Sequence, residues 1–238
     1  MAPSSPRHAF VQGARDALPF TFVVSPFALL FGVVATEAGL NVVETLAFSI
    51  AVLAGASQFA ALQLLTENAP TVIVLASALA VNLRMAMYSA SLTPHLGEAP
   101  LWHRALAAYF IVDQSYALSI IKYERERLTL TERLAYFWGS VAPVCPMWYV
   151  MTLVGALAGT AIPESVPLDF AVPITFIALI TPMLRTLAHV VAAVVSVALA
   201  LGFAFLPYNL GLMVAGVGAM MAGAQTEVWM NRRRGAAQ

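Results

Sequence analysis

The sequence predicts an all-α integral membrane protein of about eight transmembrane helices, several broken by Pro or Gly, with both termini in the cytoplasm. Three observations predict it. The chain of 238 residues is 61% hydrophobic and 10% charged, where soluble domains carry about 25% charged residues. Its apolar residues fall in runs of about twenty, the length that crosses a bilayer core. Its basic residues gather in alternate connections, as those of cytoplasmic loops do. The expected organisation is a cytoplasmic segment 1–17, one transmembrane domain 18–229 and a basic tail 230–238.

Taken in order, residues 1–17 carry Arg7, Arg15 and Asp16 and lack a small-residue cleavage site, so no signal peptide is expected. The first span, 18–37, holds Pro19, Pro26 and Gly32. The second, 44–66, is interrupted by Gly55-Ala56-Ser57-Gln58. Spans at 70–93 and 104–122 follow. The fifth, 134–159, contains Pro143 and Pro146 and is expected to kink. The last three are 168–185, with Pro173 and Pro182, then 187–206 and 209–229. Very short connections near 67–69, 186 and 207–208 imply tight antiparallel hairpins. Trp102, Trp138 and Trp229 lie near span ends, as aromatic belts do.

Eight spans place Arg7, Arg15, Lys122, Arg125, Arg127, Arg133, Arg185, Arg232, Arg233 and Arg234 inside and leave only Arg104 outside. The outer connections then hold Glu37, Glu44, Glu98, Glu164 and Asp169. A seven-span alternative, merging the sixth and seventh runs, puts one basic terminus on the wrong side. Zero net charge gives no sign of nucleic-acid binding, and a single cysteine, Cys145, excludes an intrachain disulfide and a zinc–cysteine cluster. The methionines read as packing residues, and no metal site or cofactor is expected.

The breakers together fit the discontinuous helices of secondary transporters, whose half-helix ends meet substrate near the midplane. Pro19-Phe20-Thr21-Phe22 echoes Pro173-Ile174-Thr175-Phe176, each followed by a second proline. Chance similarity is one reading. The other is an inverted repeat whose second half is incomplete and would be completed by a small membrane partner.

Two ions lie inside apolar runs: Arg84 in the third and Asp113 in the fourth. An ion at membrane depth costs at least about 2.5–3.5 kcal/mol, so it persists when paired, wet or useful. The pair reads as a gate or substrate site, or as a structural pair that fixes helix packing. Tyr88, one helical turn from Arg84, is its natural neighbour, with Asn82 and Ser89 on adjoining sides. Ser57 and Gln58 read either as groups on a broken helix offered to substrate or as an interhelical packing contact. His189 reads as a proton-relay group or an interfacial histidine. Glu124–Arg133 reads as a solvated connector. Gly211, Gly216, Gly218 and Gly223 give the last span a small side suited to close helix contact. Two other classes stand beside transport: an intramembrane hydrolase resting on Gly55-Ala56-Ser57 and His189, and a non-transporting assembly or sensor subunit.

Gly55-Ala56-Ser57-Gln58-Phe59-Ala60-Ala61-Leu62 and Asn82-Leu83-Arg84-Met85-Ala86-Met87-Tyr88-Ser89-Ala90-Ser91-Leu92-Thr93-Pro94 resemble the AzlC family, large subunits of branched-chain amino acid exporters. Pro26-Phe27, Phe31-Gly32 and the neighbourhood of Asp113 also fit, and the resemblance is strongest over residues 15–120. It implies export of valine, leucine, isoleucine or methionine across the bacterial inner membrane, driven by protons. It also implies a small AzlD-type membrane subunit as partner. The family pattern often places His directly after the motif Arg; this chain has Met85 there. Asp113 is then the candidate ion-coupling residue. The candidate substrate site is Gly55, Ser57, Gln58, Phe59, Asn82, Arg84, Tyr88 and Ser89, with Arg84 or a helix N-terminus meeting the carboxylate.

Overall fold

A computed structural model describes residues 5–161, 177, 184, 186–206 and 210–235. No strand occurs among the described residues. They divide into two compact units, Met1–Gln63 with Val74–Val166, and Leu64–Ile73 with Pro167–Gln238.

The first unit is built on α1 (Pro6–Ala17), a 3-10 turn (Leu18–Phe20) and α2 (Thr21–Glu37), then α3 (Val42–Ala51), most of α4 (Gly55–Thr66) and of α5 (Thr71–Leu96), α6 (Leu101–Phe110), α7 (Asp113–Arg125) and α8 (Leu130–Gly159). Local chemistry sets the helix starts. Ser5 accepts the His8 N–H ahead of Pro6. Asn41 with Glu44, and Thr129 with Glu132, form reciprocal capping boxes on α3 and α8. Helix α8 runs unbroken through Pro143 and Pro146.

Glycines fix how α8 packs. A Cβ on Gly13 would overlap the carbonyl oxygen of Tyr136, one on Gly139 that of Phe10, one on Gly32 that of Thr152, and one on Gly155 that of Leu29. The two backbones therefore touch along their length, and α1–α2 runs in the same direction as α8. Helix α5 runs the other way. Its last turn meets the start of α8, where the Arg133 guanidinium donates to the His95 carbonyl at 3.3 Å. The end of α7 arrives at the same place. Tyr123 donates to the Arg133 carbonyl at 2.7 Å, and Lys122 donates to Gln12 at 2.9 Å.

These contacts make two hairpins. Helix α6 comes back along α5, with Arg104 beside Thr93 and Leu96 and Ile111 beside Ser89. Helix α7 then reverses and follows α5: Arg84 meets Asp113, Tyr88 stacks on Tyr116, and His95 faces Tyr123. So α6–α7 enters and leaves at the amino-terminal end. Helices α3–α4 do the same from the opposite end. Gly55 packs on Phe27 and Trp148, and Phe59 on Phe27 and Phe31, so α4 follows α2 outward again.

The second and fourth predicted spans are therefore corrected to re-entrant pairs. Half-helices of 10–13 residues rise about 15–20 Å, half of a hydrocarbon core about 30 Å thick. Three stretches of the described chain are long and apolar enough to cross: Pro6–Glu37, Thr71–Leu96 and Leu130–Gly159. A crossing followed by a re-entrant hairpin occurs twice, in opposite directions, which is an inverted repeat of a different kind from the proline echo. The echo's second copy and the sixth predicted span lie outside the described residues, apart from Ile177 and Leu184.

The correction removes the charge exception. Arg104 and Glu98 move to the amino-terminal end, beside Arg7, Arg15, Lys122, Arg125, Arg127 and Arg133, while the connections 38–41 and 67–70 carry no Lys or Arg. In a chain carrying Cys145→Ala, Glu98→Cys and Arg127→Cys are expected to label from the same face of the membrane with an impermeant maleimide. Labelling from opposite faces would restore a fourth crossing.

In the second unit, α9 (Leu187–Gly202) and α10 (Leu210–Gly235) pack antiparallel. Gly211 lies against Phe203, Gly218 against Leu199 and Gly223 against Ala192, which is the close helix contact the glycines suggest. His189 is exposed in the first turn of α9, its N–H donating to Thr186.

Candidate functional site

The chain breaks at Val52-Leu53-Ala54 and at Ile111-Val112, and the two hairpin tips face one cavity of about 330 Å³. Its lining is largely apolar: Val52, Leu53 and Ala54 from one tip, Tyr109 and Ile111 from the other, and Asn82 with Met85 from α5. Backbone turns extended at both breaks, with Val52 at φ −130°, ψ 90° and Val112 at φ −128°, ψ 165°. β-branched residues tolerate that conformation well. Non-helical backbone at such a depth is stable only when protein buries it or a cavity wets it.

Each tip begins a helix. The first turn of α7 carries Asp113, whose charge offsets the positive end of the helix, and Ser115 accepts the Val112 N–H at 3.0 Å. The first turn of α4 carries no acid, so its N-terminal charge is offset by none of its own side chains. The expected break at Gly55–Gln58 lies just before it, and those residues form the first turn of α4. Gly55 acts there as clearance, because a Cβ would strike the rings of Phe27 and Trp148.

Arg84 and Asp113 pair through one contact, Nη1 to Oδ2 at 3.1 Å, with side chains 32% and 44% exposed. The guanidinium Nε and the carboxylate Oδ1 are both buried and have no protein partner. A pair this open contributes about 0–1 kcal/mol to stability, too little to offset two ions at membrane depth. Tyr88 lies beside the same carboxylate and stacks on Tyr116 at 4.2 Å between centroids. The Tyr116 hydroxyl in turn bonds Ser91 at 3.1 Å. Arg84, Tyr88 and Ser91 lie at helical spacing on one face of α5, so this face and α7 zip together.

The structure thus brings Arg84, Tyr88 and Asp113 together, with Asn82 in the adjoining cavity wall and its Oδ1 unpartnered. Ser89 faces a separate cavity of about 280 Å³ towards the amino-terminal end. Ser57, Gln58 and Phe59 are buried in the packing of α4. Ser57 donates to the Ala78 carbonyl at 2.8 Å. Gln58 donates to Ser49, which also accepts the Trp148 indole N–H at 2.8 Å and lies 3.4 Å from the Thr152 hydroxyl. This wholly buried network ties the first hairpin to α8, and one Gln58 oxygen in it remains without a protein partner. Sequence reasoning missed Ser49, Tyr109, Tyr116 and Tyr149. The signal for Tyr116 was available, three residues after Asp113 on the same helix face. Among the described residues no group of three or more His, Cys, Asp or Glu is placed to hold a metal ion.

Residues 19–162, which contain both hairpins and the whole site, match the AzlC protein family. Inner membrane protein YgaZ of Escherichia coli K12 is 27% identical over 173 residues, 70% of each chain. An uncharacterized membrane protein of Archaeoglobus fulgidus is 29% identical over 220 residues, 90% of this chain and 94% of the relative. An uncharacterized membrane protein of Helicobacter pylori J99 is 27% identical over 158 residues, 64% of this chain and 67% of the relative. No solved structure matches. With a family match covering more than half its length, site included, this chain is a membrane protein of the AzlC family.

Proposed function

We propose that the chain is the transport subunit of an exporter of branched-chain or similar hydrophobic amino acids in the bacterial inner membrane, driven by protons and working with a small AzlD-type subunit. The observation that carries the reading is the half-used ion pair beside an apolar cavity. A substrate of this class is a zwitterion with a hydrocarbon side chain. The Arg84 guanidinium is the charged donor for its carboxylate and the Asp113 carboxylate the acceptor for its ammonium, since each side chain is partly exposed and they meet through one contact. Its side chain finds Val52, Leu53, Met85 and Ile111. The N-terminus of α4, whose first turn carries no acid, adds a second positive pole for the carboxylate. Protonation of Asp113 removes the negative half of the site, which ties the bound state to the proton.

The charge asymmetry favours the amino-terminal end as cytoplasmic. Hairpin α6–α7 then closes the site from inside and α3–α4 from outside, so opening them in turn gives alternating access.

The test is efflux of preloaded labelled valine and leucine from cells, with and without the small subunit, comparing Arg84 with Arg84→Ala. Losing a charged hydrogen bond costs about 1.5–3 kcal/mol, so the variant is expected to need roughly ten- to hundredfold more substrate. Unchanged efflux in Arg84→Ala would remove Arg84 from the site. Absence of efflux in the complete pair would favour an assembly or sensor role.

A further inference from the structure

We propose that Tyr109 is a positioning residue that latches the two hairpin tips together across the cavity and sets how fast the site opens. The proposal rests on the transporter reading for its role, and on geometry for the latch. Helix α3 ends at Ala51, so the carbonyl of Ile50 has lost the partner that another turn of helix would supply. Tyr109, next to last in α6 on the other hairpin, fills that vacancy: its hydroxyl donates to the Ile50 oxygen at 2.6 Å. Its own oxygen lies 3.2 Å from the hydroxyl of Tyr149 on α8, which is placed to donate to it.

One phenol therefore joins α6, the end of α3 and a full-length crossing. Its ring lines the cavity and is 40% exposed, so the latch sits in the wall that substrate would touch. The hairpins enter from opposite ends, so withdrawing either tip separates α6 from α3 and breaks this bond. The bond holds the state with both tips closed and enters neither half of the ion pair. Loss of the hydroxyl alone should therefore change the rate of opening more than the affinity for substrate.

The test uses the full chain with its small subunit in proteoliposomes, carrying Cys145→Ala and a reporter, Val52→Cys, at the first tip. Tyr109→Phe is expected to raise maleimide labelling of the reporter roughly three- to tenfold, the effect of one hydrogen bond. It should raise the maximal rate of leucine exchange and leave the half-saturating concentration nearly unchanged. Tyr149→Phe keeps the bond from Tyr109 to Ile50 and should label within a factor of about two of the parent. Labelling that is unchanged in Tyr109→Phe, or raised equally by Tyr149→Phe, would overturn the latch. Labelling needs no substrate: a rise without leucine exchange would uphold the latch and reject the cargo, while exchange with unchanged labelling would do the reverse.

Discussion

Asp113→Asn is expected to abolish uphill export while sparing exchange. The asparagine keeps the size of the carboxylate and an oxygen for the substrate ammonium, but binds and releases no proton. In cells preloaded with labelled leucine, efflux against an external excess should fall to the level of cells without the chain. Exchange of internal label for external leucine should continue, because it needs the site to reorient loaded and never empty. The position of Asp113 makes the two activities separable. It starts α7, where a negative charge is stabilised by the helix N-terminus, and it meets Arg84 through one oxygen only. Uphill export that survives in the variant, with its dependence on external pH intact, would remove Asp113 from proton coupling.

Gly155→Val is expected to cause the largest loss of folded protein. Its Cβ would overlap the carbonyl oxygen of Leu29 and crowd the Leu29 backbone at about 3 Å. Over-packing a core usually costs about 1–3 kcal/mol because side chains can shift; here backbone meets backbone and neither has a rotamer to change. Four such glycines, Gly13 and Gly32 on one side and Gly139 and Gly155 on the other, hold α1–α2 against α8. The loss should appear as a low yield of monodisperse protein in detergent and a lowered Tm. Gly216→Val is the control, since open space surrounds its Cβ position. Equal stability of the two variants would mean that α2 and α8 do not pack this closely.

The helical class, the three full crossings and the ion pair were legible in the sequence, because each rests on a strong signal. Long apolar runs mark α2, α5 and α8, and isolated charges stand out against them, whereas α1 falls in residues 1–17, which the sequence reads as a cytoplasmic segment. The re-entrant hairpins were not legible. Val52-Leu53-Ala54 and Ile111-Val112 are as apolar as the helices around them, so hydropathy runs straight through both breaks. Gly55 attracted attention as a breaker, yet it serves as clearance for Phe27 and Trp148. A local clue existed at the second tip: Asp113 and Ser115 are residues suited to starting a helix, placed in the middle of an apparent span. Arg104, the one cation on the wrong side of an eight-span chain, was a second clue that the fourth run does not cross. The latch depends on Tyr109 meeting the backbone of Ile50, 59 residues away, and no spacing rule reaches that far.

The re-entrant geometry also explains why so much chemistry sits at mid-depth. Two helix starts and two helix ends converge around one cavity, close in sequence to the Arg84–Asp113 pair. That convergence is the basis of the account, and counterflow tests it most directly. Proteoliposomes holding the purified chain and its small subunit would be loaded with unlabelled leucine and diluted into a trace of labelled leucine. The account predicts transient accumulation of label in the wild type and its loss in Arg84→Ala. No accumulation with leucine, valine, isoleucine or methionine would contradict it.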